Sequence, residues 1–103
     1  LKKKSSFNSL FNLGKRINAG HFSLIFLKDR EDSSFYYAVM VSKKNIPLAV
    51  NRNKIKRRIR ESIMKIYSEV SLPGGSNLII YNSKKILTFK EIKKDLSFLF
   101  KKL

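Results

Sequence analysis

Cysteine is absent from the 103 residues, so the chain can build neither a disulfide framework nor a thiolate metal site, and nothing marks its redox compartment. Tryptophan is also absent, and histidine occurs once, at His21. A lone histidine has no partner with which to form an acid and base pair. Acids are scarce: seven Asp and Glu stand against 23 Lys and Arg, a formal charge of +16. Such a chain repels itself when compact unless counterions or a polyanion neutralise it, so an acidic polymer or surface is the expected partner. No apolar run approaches the roughly 20 residues of a membrane span. The start, LKKKSSFNSLF, mixes Asn and Ser into its apolar residues, unlike the continuous apolar block of a signal peptide. A cytoplasmic protein with no membrane partner is expected. The chain opens on Leu1 rather than Met, so residues are expected upstream of it.

What is present is enough apolar residue, 43%, for one domain to bury a core of its own. Phe7, Leu10 and Phe11 recur at helical spacing after Ser5 and Ser6, and Gly14 with Lys15 and Arg16 reads as the stop of a short first helix. Residues 21–27 alternate as a strand through Phe22, Leu24 and Phe26, and the charged residues 28–34 make a turn. FYYAVMVS, residues 35–42, is expected to return as an antiparallel strand, or as the second of a three-stranded set. Pro47 in KKNIPLAV marks a loop.

Over residues 51–70, Ile55, Ile59, Ile63 and Ile66 with Val70 form one narrow stripe of an amphipathic helix about five turns long. Asn51 or a neighbour should cap it, and Pro73, Gly74 and Gly75 should end it. LIIY, residues 78–81, fits a buried strand reached by a helix crossover. The last helix has the clearest start: Thr88 and Glu91 are spaced as a capping box, and Leu87 and Ile92 as its hydrophobic staple. Phe89, Ile92, Leu96 and Leu99 would be its buried face. The order is helix, two or three strands, helix, strand, helix. It predicts a single α+β domain over residues 1–103, with helices packed on a mixed sheet.

NRNKIKRRIR, residues 51–60, carries six positive charges and no acid. Like charges at i,i+4 cost helix stability, and cations in the first turn oppose the helix dipole by ~0.3 to 1 kcal/mol each. At ~100° per residue, Lys56, Asn53, Arg60 and Arg57 fall on one side of the isoleucine stripe, and Lys54, Arg58 and Lys65 on the other. A merely solvated face explains neither the missing acids nor the adverse dipole. Against a membrane-surface helix stand the narrow stripe, the lack of Trp, and strands that need a helix to cover them. Nucleic acid is the remaining polyanion. Contact with about six phosphates would make affinity fall on the order of a thousandfold between ~50 and 200 mM salt.

VSKK at residues 41–44, followed by AVNRNKIKRRIRE at residues 49–61, resembles the signature of the bacterial ribonuclease P protein family: an RN pair, then KR, then R at helical spacing. Arg52, Asn53, Lys56, Arg57 and Arg60 match it. FNSLF at residues 7–11, the Phe22 strand, LIIY and LTFKEIKKDLSFLF at residues 87–100 extend the likeness over nearly the whole chain. A departure is the loop NIPLAV, one residue longer than the family's usual connection, with Pro47 where the family often has Gly.

The resemblance implies a four-stranded mixed sheet with a left-handed βαβ crossover through the basic helix, against the usual right-handed rule. It implies the protein subunit of an endonuclease that removes the 5′ leader of precursor tRNA, with the catalytic centre in an RNA subunit and no catalytic residue in the protein. Lys43, Lys44, Arg52, Asn53, Arg57 and Arg58, the last by helix position, are then expected to dock on the catalytic RNA. Phe7, Phe11, Lys56 and Arg60 are expected to line a leader cleft between the sheet and the first helix. Ile25 stands where the family often has an aromatic. Mg2+ is expected for the holoenzyme, with no cofactor or metal bound by the protein alone, which would act as a monomer.

Read as residues alone, Phe7 and Phe11 at i,i+4 have the pattern of core filling; the family likeness sets contact with leader bases beside it as an equal reading. His21 reads as a strand-edge residue, and Asp29, Glu31 and Asp32 as a solvated turn. Two other functions share the charge and size. One is a structural RNA-binding protein of the ribosome; the other is an autonomous ribonuclease using His21 with Lys or Arg.

Overall fold

The computed structural model describes residues 14–28, 31 and 33–102. Among these, the elements run β1 (Lys15–Ala19), β2 (Phe22–Lys28), β3 (Phe35–Val41), α1 (Ala49–Glu69), β4 (Gly75–Tyr81) and α2 (Phe89–Phe100). The expected first helix, with Phe7 and Phe11, lies outside the described residues. Lys15 and Arg16, read as the stop of that helix, open a strand instead. β1 and β2 form a hairpin closed by the pair Ala19 and Phe22, with Gly20 and His21 between them. Gly20 has φ 56°, the left-handed value that the first central residue of a II′ hairpin turn requires.

The sheet order is β1-β2-β4-β3. β3 does not return antiparallel on β2, as expected from the sequence. It pairs parallel with β4, which lies antiparallel to β2 on its other side. A parallel pair cannot be joined by a tight turn, so α1 supplies the crossover. The central place of β4 fits its apolar run LIIY: the strand is paired on both edges, and every residue of it but Ile80 is buried.

Both helices cover one face of the sheet. Ile55, Ile59, Ile63 and Ile66 of α1, and Ile92, Leu96, Leu99 and Phe100 of α2, share a buried cluster with Phe22, Leu24, Phe35, Tyr37, Ile79 and Tyr81. Ser62 is buried within the α1 stripe, where its hydroxyl donates to the Arg58 carbonyl at 2.7 Å and so costs no unpaired polar group. Ile25 and Leu78 are buried on the opposite face of the sheet, with Leu27, Ala38 and Ile80 partly buried around them.

Some expectations at the helix ends need correction. Leu48, not Asn51, is the N-cap of α1, and it offers no side-chain bond. α1 ends at Glu69, before Pro73, and Val70 is 52% exposed because it stands beyond the last turn in extended backbone. Phe89 lies at the surface of α2, and Phe100 takes the core place expected for it. The Thr88–Glu91 capping box is present as predicted, with Leu87 and Ile92 both buried beside it. His21 sits in the hairpin turn rather than on a strand edge. Its Nδ1 lies 3.0 Å from Asp95 Oδ2 of α2, and its backbone N–H donates to the same oxygen at 3.2 Å.

Tyr81 ends β4 and fixes the approach to α2. Its ring is buried edge-on to Phe22, 5.4 Å between centroids. Its hydroxyl donates to the Lys85 carbonyl and accepts from the Leu87 N–H at 3.1 Å. Burial pushes this hydroxyl above its ordinary value near 10, against the opposing hydrogen bond from Leu87. A raised value means that the folded state favours the neutral hydroxyl, so this contribution is present below pH ~10 and lost as pH rises through the raised value. Tyr81→Phe should cost about 1–3 kcal/mol at neutral pH, since two backbone groups lose their partner. Denaturant unfolding from pH 8 to 11 should show that the variant lacks part of the alkaline decline of the parent.

Candidate nucleic-acid interface

The basic segment begins before its helix. Ser42 closes a turn after β3, with its hydroxyl accepting from the Asn45 N–H at 3.2 Å and its carbonyl from the Ile46 N–H at 3.0 Å. Lys43 and Lys44 are exposed on that turn, while Ile46 is buried and anchors the loop that follows. Arg52 reaches back from the first turn of α1, donating through Nη1 to the carbonyls of Ile46 at 2.9 Å and Pro47 at 2.7 Å. The loop with Pro47 is thus tied to the helix by the guanidinium that begins the basic run. Nε and Nη2 of Arg52 remain without a partner among the described residues.

α1 has no side-chain cap and no acid in its first turn. Its free N–H groups and the positive end of its dipole therefore open beside Lys43, Lys44 and Arg52, a local field that favours an anion.

Beyond the first turn the charges divide by helix side. Asn53 and Arg57 are exposed on the outward ridge, where Arg57 Nε lies 3.8 Å from Glu61 Oε1. Such an exposed i,i+4 pair adds little to stability and yields readily to a stronger anion. Lys56 is half-buried and Arg60 exposed on one flank. Tyr67 shares that flank by the helical period, and its ring stands 6.4 Å from Phe35 at the start of β3, so this flank borders the edge strand. Arg58 lies on the other flank and donates through Nη1 to the Leu87 carbonyl at 2.7 Å. It is a strut between α1 and the start of α2.

Of the residues expected to meet the catalytic RNA, Lys43, Lys44, Asn53 and Arg57 thus stand exposed at the surface, Arg57 with only its loose pair to Glu61. Arg52 and Arg58 are partly engaged with backbone carbonyls. Of those expected at the leader, Lys56 and Arg60 share one flank, and Phe7 and Phe11 lie outside the described residues. Ile25 lies on the sheet face turned away from both helices. Two features escaped sequence reasoning. Ser23, buried on that second face, bonds with Arg16, Asn18 and Asn82; the cross-strand pair of Asn18 with Ser23 was the signal, legible only once β1 is known to be a strand. The other is a row of lysines along the exposed face of α2, visible in the sequence at Lys90, Lys94 and Lys101.

Among the described residues no three His, Asp or Glu side chains come together as metal ligands, and no helix is long and apolar enough to cross a membrane. Asp29 and Asp32 lie outside those residues.

These features define a small α+β domain with an exposed, acid-poor basic helix. A family model described as Ribonuclease P matches residues 1–103. A ribonuclease P protein component of Bacillus cereus (strain Q1) is 36% identical over 104 residues, covering 99% of this chain and 88% of that protein. The solved ribonuclease P protein of Staphylococcus aureus matches with a TM-score of 0.80 at 27% identity, over 98% of this chain and 91% of that one. The ribonuclease P protein of Thermotoga maritima shares the fold with a TM-score of 0.85, over 100% of this chain and 96% of its own, at 23% identity. The chain belongs to the ribonuclease P protein family.

The two neighbouring arginines of α1 should separate in the free protein. Arg58→Ala should lower stability by about 1.5–3 kcal/mol, because the Leu87 carbonyl loses a charged donor, whereas Arg57→Ala should cost under ~0.5 kcal/mol. Urea unfolding without RNA measures both.

Proposed function

We propose that this chain assists the RNA subunit of ribonuclease P in removing the 5′ leader from precursor tRNA. Family membership implies a component of an endoribonuclease that associates with an RNA subunit. The observation that carries the reading further is the outward side of the first half of α1, exposed at Asn53, Lys54, Arg57 and Arg60, without acids up to Glu61, and open at an uncapped N-terminus. On this reading the RNA and its Mg2+ ions hold the reacting phosphodiester, and the protein carries no catalytic group. Lys43, Lys44, Asn53 and Arg57, with the unengaged nitrogens of Arg52, meet phosphates of the catalytic RNA, and Arg58 holds the helix in place for them.

The leader is the second ligand. α1 and α2 fill one face of the sheet, so a cleft against the sheet must use the face of Ile25 and Leu78, whose rim carries Arg16. Phe7 and Phe11 would supply stacking platforms there, worth about 1–3 kcal/mol per base without sequence preference. Lys56 and Arg60, beside the β3 edge, would neutralise leader phosphates.

Docking and leader binding are separable. Arg57→Ala should flatten the salt dependence of catalytic-RNA binding by about one unit. Lys56→Ala and Phe11→Ala should weaken holoenzyme binding to precursor tRNA with a leader of several nucleotides and leave binding to mature tRNA within a fewfold. Paired affinity measurements on the two tRNAs are the check, with a melting curve for Phe11→Ala. Equal weakening on both tRNAs, or an unfolded Phe11→Ala variant, removes that residue from the cleft.

A further inference from the structure

α2 buries Ile92, Leu96, Leu99 and Phe100 and turns Lys90 and Lys94 outward; Lys101, its C-cap in helical backbone, continues the row, all three exposed, with Ser97 between them. At 1.5 Å per residue the row is ~16 Å long. The two acids of the helix point elsewhere and are already engaged. Glu91 closes the capping box with Thr88, and Asp95 accepts from His21 in the hairpin turn. Lys93, at the edge of the row, is paired with Glu69 of α1 at 3.1 Å. Lys90, Lys94 and Lys101 therefore have no carboxylate partner among the described residues.

A helix face built only for solubility alternates signs at i,i+4. Here Lys90 and Lys94 repel at that spacing, and Lys90 opposes the dipole in the first turn. Phe98 borders the row, 55% exposed, with the Lys102 Nζ 4.7 Å over its ring. A large aromatic ring at the rim of an uncompensated lysine row suits a ligand that combines phosphates with stacking or sugar surfaces.

We propose that the outward face of α2, centred on Lys90, Lys94 and Lys101, is a second docking surface for the phosphate backbone of the catalytic RNA. This rests on reading α1 as the first such surface. α1 and α2 cover the same sheet face, so their outward sides look in one direction, and a large folded RNA lying on α1 meets α2 as well. The leader, assigned to the opposite face of the sheet, does not.

The test uses the full chain with the triple variant Lys90→Gln, Lys94→Gln, Lys101→Gln, the matching Lys→Arg triple variant, and Arg57→Gln as the α1 probe. Binding to the catalytic RNA alone is titrated across salt. The Gln triple variant should flatten the slope of log affinity against log salt by about 2 to 3 units, at roughly 0.7–0.9 per phosphate. The Arg triple variant should keep the parent slope. A parent slope in the Gln triple variant overturns the proposal: with Arg57→Gln flattened the α1 reading stands alone, and with Arg57→Gln also unchanged both fall. A flattened triple variant beside an unchanged Arg57→Gln supports the α2 surface and removes Arg57 from the RNA interface. Loss confined to precursor-tRNA binding by the assembled holoenzyme overturns the assignment to the catalytic RNA. The melting midpoint of the Gln triple variant should equal or exceed that of the parent, because like-charge neighbours are removed.

Discussion

Four isoleucines hold in place a helix whose other sides repel one another. Ile55, Ile59, Ile63 and Ile66 seat α1 on the sheet as a stripe one residue wide per turn, each buried side chain contributing roughly 1.5–3 kcal/mol. That anchorage offsets the cost of six like charges in ten residues and of a first turn with no cap and no acid. The rest of the architecture follows from the same helix. α1 is the crossover that makes β3 and β4 parallel neighbours, and it shares with α2 the face of the sheet that must be covered. Loosening the stripe would release the basic side from a fixed orientation, and an ordered array of cations would become a flexible one.

Some of the cations are also structural. Arg52 ties the Pro47 loop to the first turn, and Arg58 braces the start of α2. Both donate to carbonyls through one nitrogen, so neither needs a buried counter-ion. This is economical in a chain with only seven acids, where salt bridges cannot be the main means of holding elements together. Hydrogen bonds to backbone oxygen serve instead, as they do at Tyr81, whose hydroxyl fixes the loop between β4 and α2. A polyanion bound to the remaining charges would raise stability by mass action, so the protein and its RNA should reinforce one another.

Local chemistry was legible in the sequence. The Thr88–Glu91 capping box with its staple, the isoleucine stripe and the apolar β4 run depend on neighbours within a few positions, and each lies where it was expected. Partner choice between strands was not legible. β3 leaves the place beside β2 to β4 and pairs on the far edge of β4, an arrangement that no signal within FYYAVMV announces. β1 escaped because Lys15 and Arg16 look like a helix stop, and a short edge strand needs only one buried face. For the site, charge spacing located the basic helix side but could not say where each guanidinium ends, so the backbone anchorage of Arg52 and Arg58 had no sequence signal. The aromatic half of the expected leader cleft, Phe7 and Phe11, falls outside the described residues.

The central claim is that a charged scaffold without catalytic groups of its own serves an RNA enzyme, and reconstitution tests it most directly. The rate of leader removal from a precursor tRNA would be measured with the catalytic RNA alone, the protein alone, and the two together in Mg2+ buffer. The account predicts no cleavage by the protein, and faster cleavage by the pair than by the RNA, at the same phosphodiester. Cleavage by the purified protein, or a rate for the pair no different from that of the RNA, would contradict it.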